Sequence, residues 1–228
     1  MHRRARHLNP GSAGAVMALD SRFITGLSDG DPVSTWSDRS GSGNNATQST
    51  SADRPVFQTT EQGGCPAVEF TASLKQLITP SVTLAQPAYY MACGRQLAVP
   101  QPFQTGRYLD AFSPGANIAA YQNKLNLYSG SGLNGTSNLG TSAHLASGLV
   151  NTTSSSLFLD GIQEASGNAG STSGTGTISI GADRAKQSSF GYLNGHIYSA
   201  IYIPNNPGNP LRRRLEHATA FSFKIPCS

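Results

Sequence analysis

Apolar residues in this chain fall in brief bursts separated by polar, turn-forming stretches. The first burst is Ala15-Val16-Met17-Ala18-Leu19-Asp20, and an alternating segment from Pro66 to Phe70 follows. Tyr89 to Ala98 is the longest apolar run and predicts a central strand. Further strands are predicted over 107–112, 117–121 and 124–128. Residues 144–150 and 155–159 flank the turn-rich stretch Asn151-Thr152-Thr153-Ser154 and predict a hairpin. Asp160-Gly161 predicts a type I′ turn leading into Ile162, because both positions accept positive φ. Residues 166–177 are almost wholly Gly, Ser, Thr, Asn and Ala and read as a loop tip.

Strands are predicted again over 177–181 and 191–203. In the second, alternation sets Ile197, Ile201 and Ile203 on one face and His196, Tyr198 and Tyr202 on the other. Only the tail has helical spacing. Pro210 suits a first turn, and Leu211, Leu215, Ala218 and Phe221 or Ser222 recur near the helical period. Short strands with turn chemistry between them, and no alternation with amphipathic helices, predict an all-β fold. The expected architecture is a two-sheet antiparallel jelly-roll sandwich with a short C-terminal helix. A chain of 228 residues buries enough surface as one such unit to fold without disulfides or metal. Residues 1–14 lack apolar periodicity and divide off as a basic extended arm; 15–228 form the domain, its helix and its tail.

Three segments carry a family resemblance. Residues 33–48, VSTWSDRSGSGNNATQ, are followed by Arg54-Pro55 and Gly64-Cys65-Pro66-Ala67-Val68-Glu69-Phe70. Leu157-Phe158-Leu159-Asp160-Gly161 comes next in order. The last comprises Ile178-Ser179-Ile180-Gly181 and Phe190-Gly191-Tyr192-Leu193-Asn194-Gly195-His196-Ile197. In this order they resemble the concanavalin A-like or laminin G-like jelly-roll domains, over about residues 18–220. The tail from Arg212 to Cys227 resembles the ends of such domains in tailed-bacteriophage proteins. The resemblance implies a virion structural protein, assembled in the host cytoplasm as a head decoration, spike, tail or fibre component.

Charge refines this picture. The formal net charge is +4, with cations concentrated at Arg3, Arg4 and Arg6 and at Arg212, Arg213 and Arg214. These six arginines are the candidate assembly and docking residues, toward other capsid or tail proteins. No basic-aromatic stripe accompanies them, which disfavours nucleic acid as partner. Cys65, Cys93 and Cys227 are an odd set without C-x-x-C spacing, which argues against a disulfide framework or a zinc site. No apolar run reaches the roughly 18 residues of a spanning helix, so no membrane partner is expected. Residues 11–19 are too short and small for a signal peptide.

The acidic residues form no catalytic motif. The four Glu are Glu61, Glu69, Glu164 and Glu216, none within two residues of another carboxylate, and Asp29-Gly30-Asp31-Pro32 is a turn. Glycoside hydrolysis needs a pair of carboxylates, so the expectation is a protein that is not an enzyme. None of the His residues stands in a nucleophile motif. No cofactor is expected. For calcium, Asp38, Asn44 and Asn45, with Ser40, supply oxygens from one loop, but a plain Asx-turn explains the same residues and is preferred. The alternative to a virion structural role is a carbohydrate-binding lectin module, contacting a host-surface polysaccharide. A glycoside hydrolase ranks behind both. A homo-oligomer, a trimer, is expected.

Overall fold

Alternating side chains let each short apolar segment bury one face, and pairing satisfies the backbone of its neighbours. The computed structural model describes residues 10–71, 75–99, 105–111, 115–183 and 191–228. In chain order its strands begin β1 (Met17–Asp20), β2 (Thr35–Trp36), β3 (Ala46–Thr47), β4 (Val56–Gln58), β5 (Ala67–Phe70) and β6 (Leu77–Ile78). They continue β7 (Val82–Leu84), β8 (Ala88–Gln96), β9 (Thr105–Ala111), β10 (Ala116–Tyr121), β11 (Lys124–Tyr128) and β12 (Gly132–Asn138). The rest are β13 (His144–Val150), β14 (Ser155–Leu159), β15 (Ile162–Gly167), β16 (Gly174–Gly176), β17 (Ile178–Ile180) and β18 (Gly195–Ile203), followed by helix α1 (Gly208–Phe223).

Two antiparallel sheets face each other. The helix-side sheet runs β15-β14-β13-β8-β18-β5-β4, with β1 also on β18. The front sheet runs β12-β11-β10-β9-β17-β6-β3-β2. Strands β7 and β16 form a separate pair. Between the sheets lie Trp36, Phe70, Leu77, Tyr90, Leu109 and Tyr202, all essentially inaccessible. Each large side chain buried this way contributes roughly 1.5–3 kcal/mol. Glu164 of β15 fastens the two far edges together, its Oε2 accepting from the backbone N–H groups of Thr136 and Ser137 of β12 at 2.8 Å each.

A second core layer lies behind the helix-side sheet, where Tyr89, Met91, Cys93 and Tyr198 meet Leu215, Ala220, Phe223 and Ile225. Strands β8 and β18 are therefore covered on both faces, and this explains why Tyr89 to Ala98 reads as a continuous apolar run. The all-β sandwich with a C-terminal helix stands as expected from the sequence. The 144–159 hairpin forms, and Asp160 and Gly161 take φ of 50° and 83°, as its connecting turn to β15 requires.

Three local expectations are corrected. A β-bulge at Tyr198 shifts the pairing of β18 with β8, so its two faces exchange partway along. Ile197, Ala200 and Tyr202 point between the sheets, whereas Tyr198, Ile201 and Ile203 face the helix layer. Residues 166–177 are not a free tip. Gly167 ends β15, Ala169 is fully buried, and Gln86 Nε2 donates to the carbonyls of Gly170 (3.2 Å) and Thr172 (3.0 Å). Finally, the buried stripe of α1 is Arg212, Leu215, Glu216, Ala220 and Phe223, while Phe221 is 71% exposed. The stripe was misplaced because an i,i+4 ion pair, Arg212 with Glu216, occupies two of its positions.

Candidate functional site

The outward face of the front sheet carries a mostly polar row of residues in register. Cross-strand pairing sets Thr35 beside Thr47, Thr47 beside Ile78 and Ile78 beside Ser179. The row continues from Ser179 to Asp110, Asn117, Tyr128 and Gly132, so it crosses every strand of the sheet. The alternate residues Leu109, Ile118 and Leu127 point into the core, which fixes the opposite, outward sense of Asp110, Asn117 and Tyr128. A parallel row holds Arg107, Ala119, Asn126 and Asn134. Thr47 and Tyr128 are exposed near the two ends, and Ser179, Asp110 and Asn117 are buried at the centre.

A bulge makes this array possible. Along a regular strand, Arg107 and Asp110 would point to opposite faces. The register shift opposite Ile118 and Ala119 skips Tyr108, which turns into the core. Arg107 Nη1 then donates to Asp110 Oδ1 at 2.6 Å, and Nη2 lies 3.7 Å from Asp183 Oδ2. Asn126 Nδ2 donates to Asn134 Oδ1 at 2.8 Å. Beside this face, Asn45, Thr47, Gln48, Ser49 and Thr79, together with Ile78 and Pro80, line a shallow hollow of about 530 Å³. Amide, carboxylate and guanidinium groups offer donors and acceptors in fixed planes, which suits a ligand dense in hydroxyls. Tyr128 adds an aromatic ring with a polar tip at the edge of the array.

The residues singled out in the sequence are placed elsewhere. Arg3, Arg4 and Arg6 lie outside the described residues. The Arg212-Arg213-Arg214 run is divided by the helix: Arg213 and Arg214 are exposed, but Arg212 points inward. Its guanidinium sits 3.8 Å from the Phe158 ring centroid and bonds Glu216, which also accepts from Tyr89 and Ser147. Arg212 therefore holds the helix onto the sheet. In the candidate calcium loop, Asp38 accepts from the N–H groups of Ala18, Ser40 and Asn44 and from the Ser40 hydroxyl. Asn45 Oδ1 accepts from Asp38 N–H at 2.9 Å, and Asn44 donates to the Val16 carbonyl at 2.7 Å. The loop's oxygens are turned onto its own donors, in the geometry of an Asx-turn network that ties the loop to β1.

The fold also assembles a titratable cluster that residue spacing did not disclose. Register places His196 between Glu69 of β5 and Arg95 of β8. Glu61, from the loop above, reaches Arg95 at 2.8 Å and His196 Nδ1 at 3.2 Å, and Glu69 lies 3.6 Å from Nε2. Two carboxylates thus bracket one buried imidazole. Burial depresses the His196 pKa, with Glu61 and Glu69 opposing that effect and Arg95 adding to it. Residue spacing does not show this, because seven residues separate the two Glu, and they meet only through the pairing of β5, β18 and β8 and the placement of the Glu61 loop.

No protein-family model matches the chain, and no curated protein matches it. Solved structures do. A Trypanosoma rangeli sialidase in complex with sialic acid aligns with 95% of this chain at TM-score 0.62 and 15% identity. Domain 4 of AbnA, an extracellular GH43 arabinanase from Geobacillus stearothermophilus, in complex with arabinotriose, aligns with 82% of this chain and 91% of its own length at TM-score 0.57 and 11% identity. The receptor-binding domain of botulinum neurotoxin mosaic serotype C/D aligns with 90% of this chain and 51% of its own at TM-score 0.59 and 8% identity. The chain spans about a third, 34%, of the sialidase's length. At these identities the likeness is one of fold. It nevertheless corrects the expectation that the chain is not an enzyme, since the matching structures include parts of a sialidase and an arabinanase. What the chain shares with them is the two-sheet β sandwich.

Proposed function

We propose that this protein is a carbohydrate-binding β-sandwich module whose ligand lies across the outward face of the front sheet. One observation carries the reading: a transverse row that is polar except at Ile78 and Gly132 crosses the sheet, with Thr35, Thr47 and Tyr128 exposed along it, and Arg107, Asn126 and Asn134 lie in a second row beside it. Sugars present many hydroxyls at fixed spacing, and planar polar side chains on a rigid sheet meet them without a large ordering cost. The sugars named with two of the matching structures, sialic acid and arabinotriose, support the choice of ligand class. A virion setting, in which this face meets host-surface polysaccharide, is supported by the sequence resemblance alone.

The test is binding of the purified protein to arrayed bacterial polysaccharides and oligosaccharides. Saturable binding to at least one glycan is expected. Tyr128→Ala and Asn126→Ala, both on the open part of the face, should each weaken it roughly tenfold, the value of one or two lost hydrogen bonds or a lost aromatic contact. Failure to bind any glycan, or unchanged affinity in both variants, would overturn the reading.

A further inference from the structure

On the opposite side of the molecule, a cleft of about 670 Å³ opens between β1 with its following turn and the C-terminal half of α1. That volume falls within the range of small-molecule sites, roughly 300–1,000 Å³. Its floor is apolar: Leu19, Ile201, Leu215, Phe223 and Ile225 line it, and each is buried to within a few per cent. Its mouth is cationic, with Arg22, Arg39 and Lys224 against the single carboxylate of Asp20.

The two arginines are held in place by aromatic rings. Arg39 lies 4.2 Å from the centroid of Phe23, and Arg22 lies 5.8 Å from the same ring and 4.9 Å from that of Phe223. Arg22 uses Nε and Nη2 on Asp20, at 3.0 and 2.6 Å. Its Nη1, and the whole guanidinium of the exposed Arg39, have no hydrogen-bond partner among the described residues. Phe23 and Phe221, 38% and 71% exposed, flank the opening. An apolar floor under a positively charged mouth with spare, oriented donors is complementary to one ligand chemistry, an apolar body ending in an anion.

We propose that this cleft binds a small amphipathic carboxylate, with an acyl chain on the apolar floor and the carboxylate at Arg39 and Arg22. The site is separate from the glycan face and does not depend on it. Calorimetry with decanoate, decanol and decyltrimethylammonium, each below its micelle concentration, tests this on the full chain. Decanoate should bind saturably at one site, at least about tenfold more tightly than decanol, because a charge-assisted bond is roughly twice as strong as a neutral one. The cationic amphiphile should not bind. Arg39→Gln, at an exposed position, should lower decanoate affinity about tenfold. Ala218→Trp, which fills the cleft from the helix wall without entering the core, should abolish binding. Equal binding of all three amphiphiles, no binding of decanoate, or decanoate binding that survives both substitutions would overturn the proposal.

Discussion

Gly181 closes β17 at φ +87°, and a Cβ built there would collide with the ring of Phe70. Both constraints act together, so Gly181→Ala should destabilise the fold by roughly 2–4 kcal/mol. Gly174→Ala, where a Cβ meets nothing and φ is ordinary, should change stability by less than about 0.5 kcal/mol. Chemical denaturation of the pair checks this, and equal effects would contradict it. The Ile-Gly pattern was visible in the sequence, but its reason was not, because Phe70 lies on the opposite sheet. His144 offers a second residue-scale test. Its Nδ1 faces Asp160 Oδ2 at 2.7 Å and its Nε2 faces the Leu139 carbonyl at 2.9 Å, so the doubly protonated ring satisfies both. The Asp160 hydrogen bond raises its pKa, against the opposing effect of burial. A raised folded-state pKa gives stabilisation that is complete below the unfolded value near 6.5 and lost as pH rises through the folded value. The stability difference between the protein and His144→Gln should therefore be larger at about pH 6 than at about pH 9. A difference independent of pH would refute the charged-ring assignment.

Helix α1 is held to the sandwich by polar contacts as well as apolar ones. Glu216 is fully buried and serves Arg212, Tyr89 and Ser147 at once. Glu216→Leu leaves the Arg212 charge buried without its partner and should cost roughly 3–5 kcal/mol. The double change Arg212→Leu with Glu216→Leu removes both charges and should recover much of that loss. Denaturant titrations of the protein and these two variants decide the matter; a double variant no better than the single one would count against the ion pair. Element boundaries were largely legible, since β10, β11, β13 and β14 fall where alternation and turn residues place them. Side-chain direction was less so. The bulges at Tyr108 and Tyr198 reverse the alternation inside a strand, and a pattern of apolar residues alone cannot register them. The same limit hid the helix stripe, because two of its members are charged.

At the scale of the whole molecule, three layers divide the work. The front sheet exposes polar side chains toward the ends of its outward face, around a buried centre, and α1 packs on the helix-side sheet. Fold class was readable from the spacing of short apolar segments, because only face-to-face packing of sheets buries them. The candidate site was not. Asp110, Asn117, Asn126, Asn134 and Tyr128 come from four strands spread over about thirty residues, and none belongs to a motif. Their common face exists only once register is set. Assigned NMR spectra of the protein, titrated with whichever oligosaccharide binds, test that face most directly. Shift changes should concentrate on β9, β10, β11 and β12, at Arg107, Asn126, Tyr128 and Asn134. Changes confined to α1 and β1, or to the Glu61–His196–Glu69 cluster behind the helix-side sheet, would contradict it.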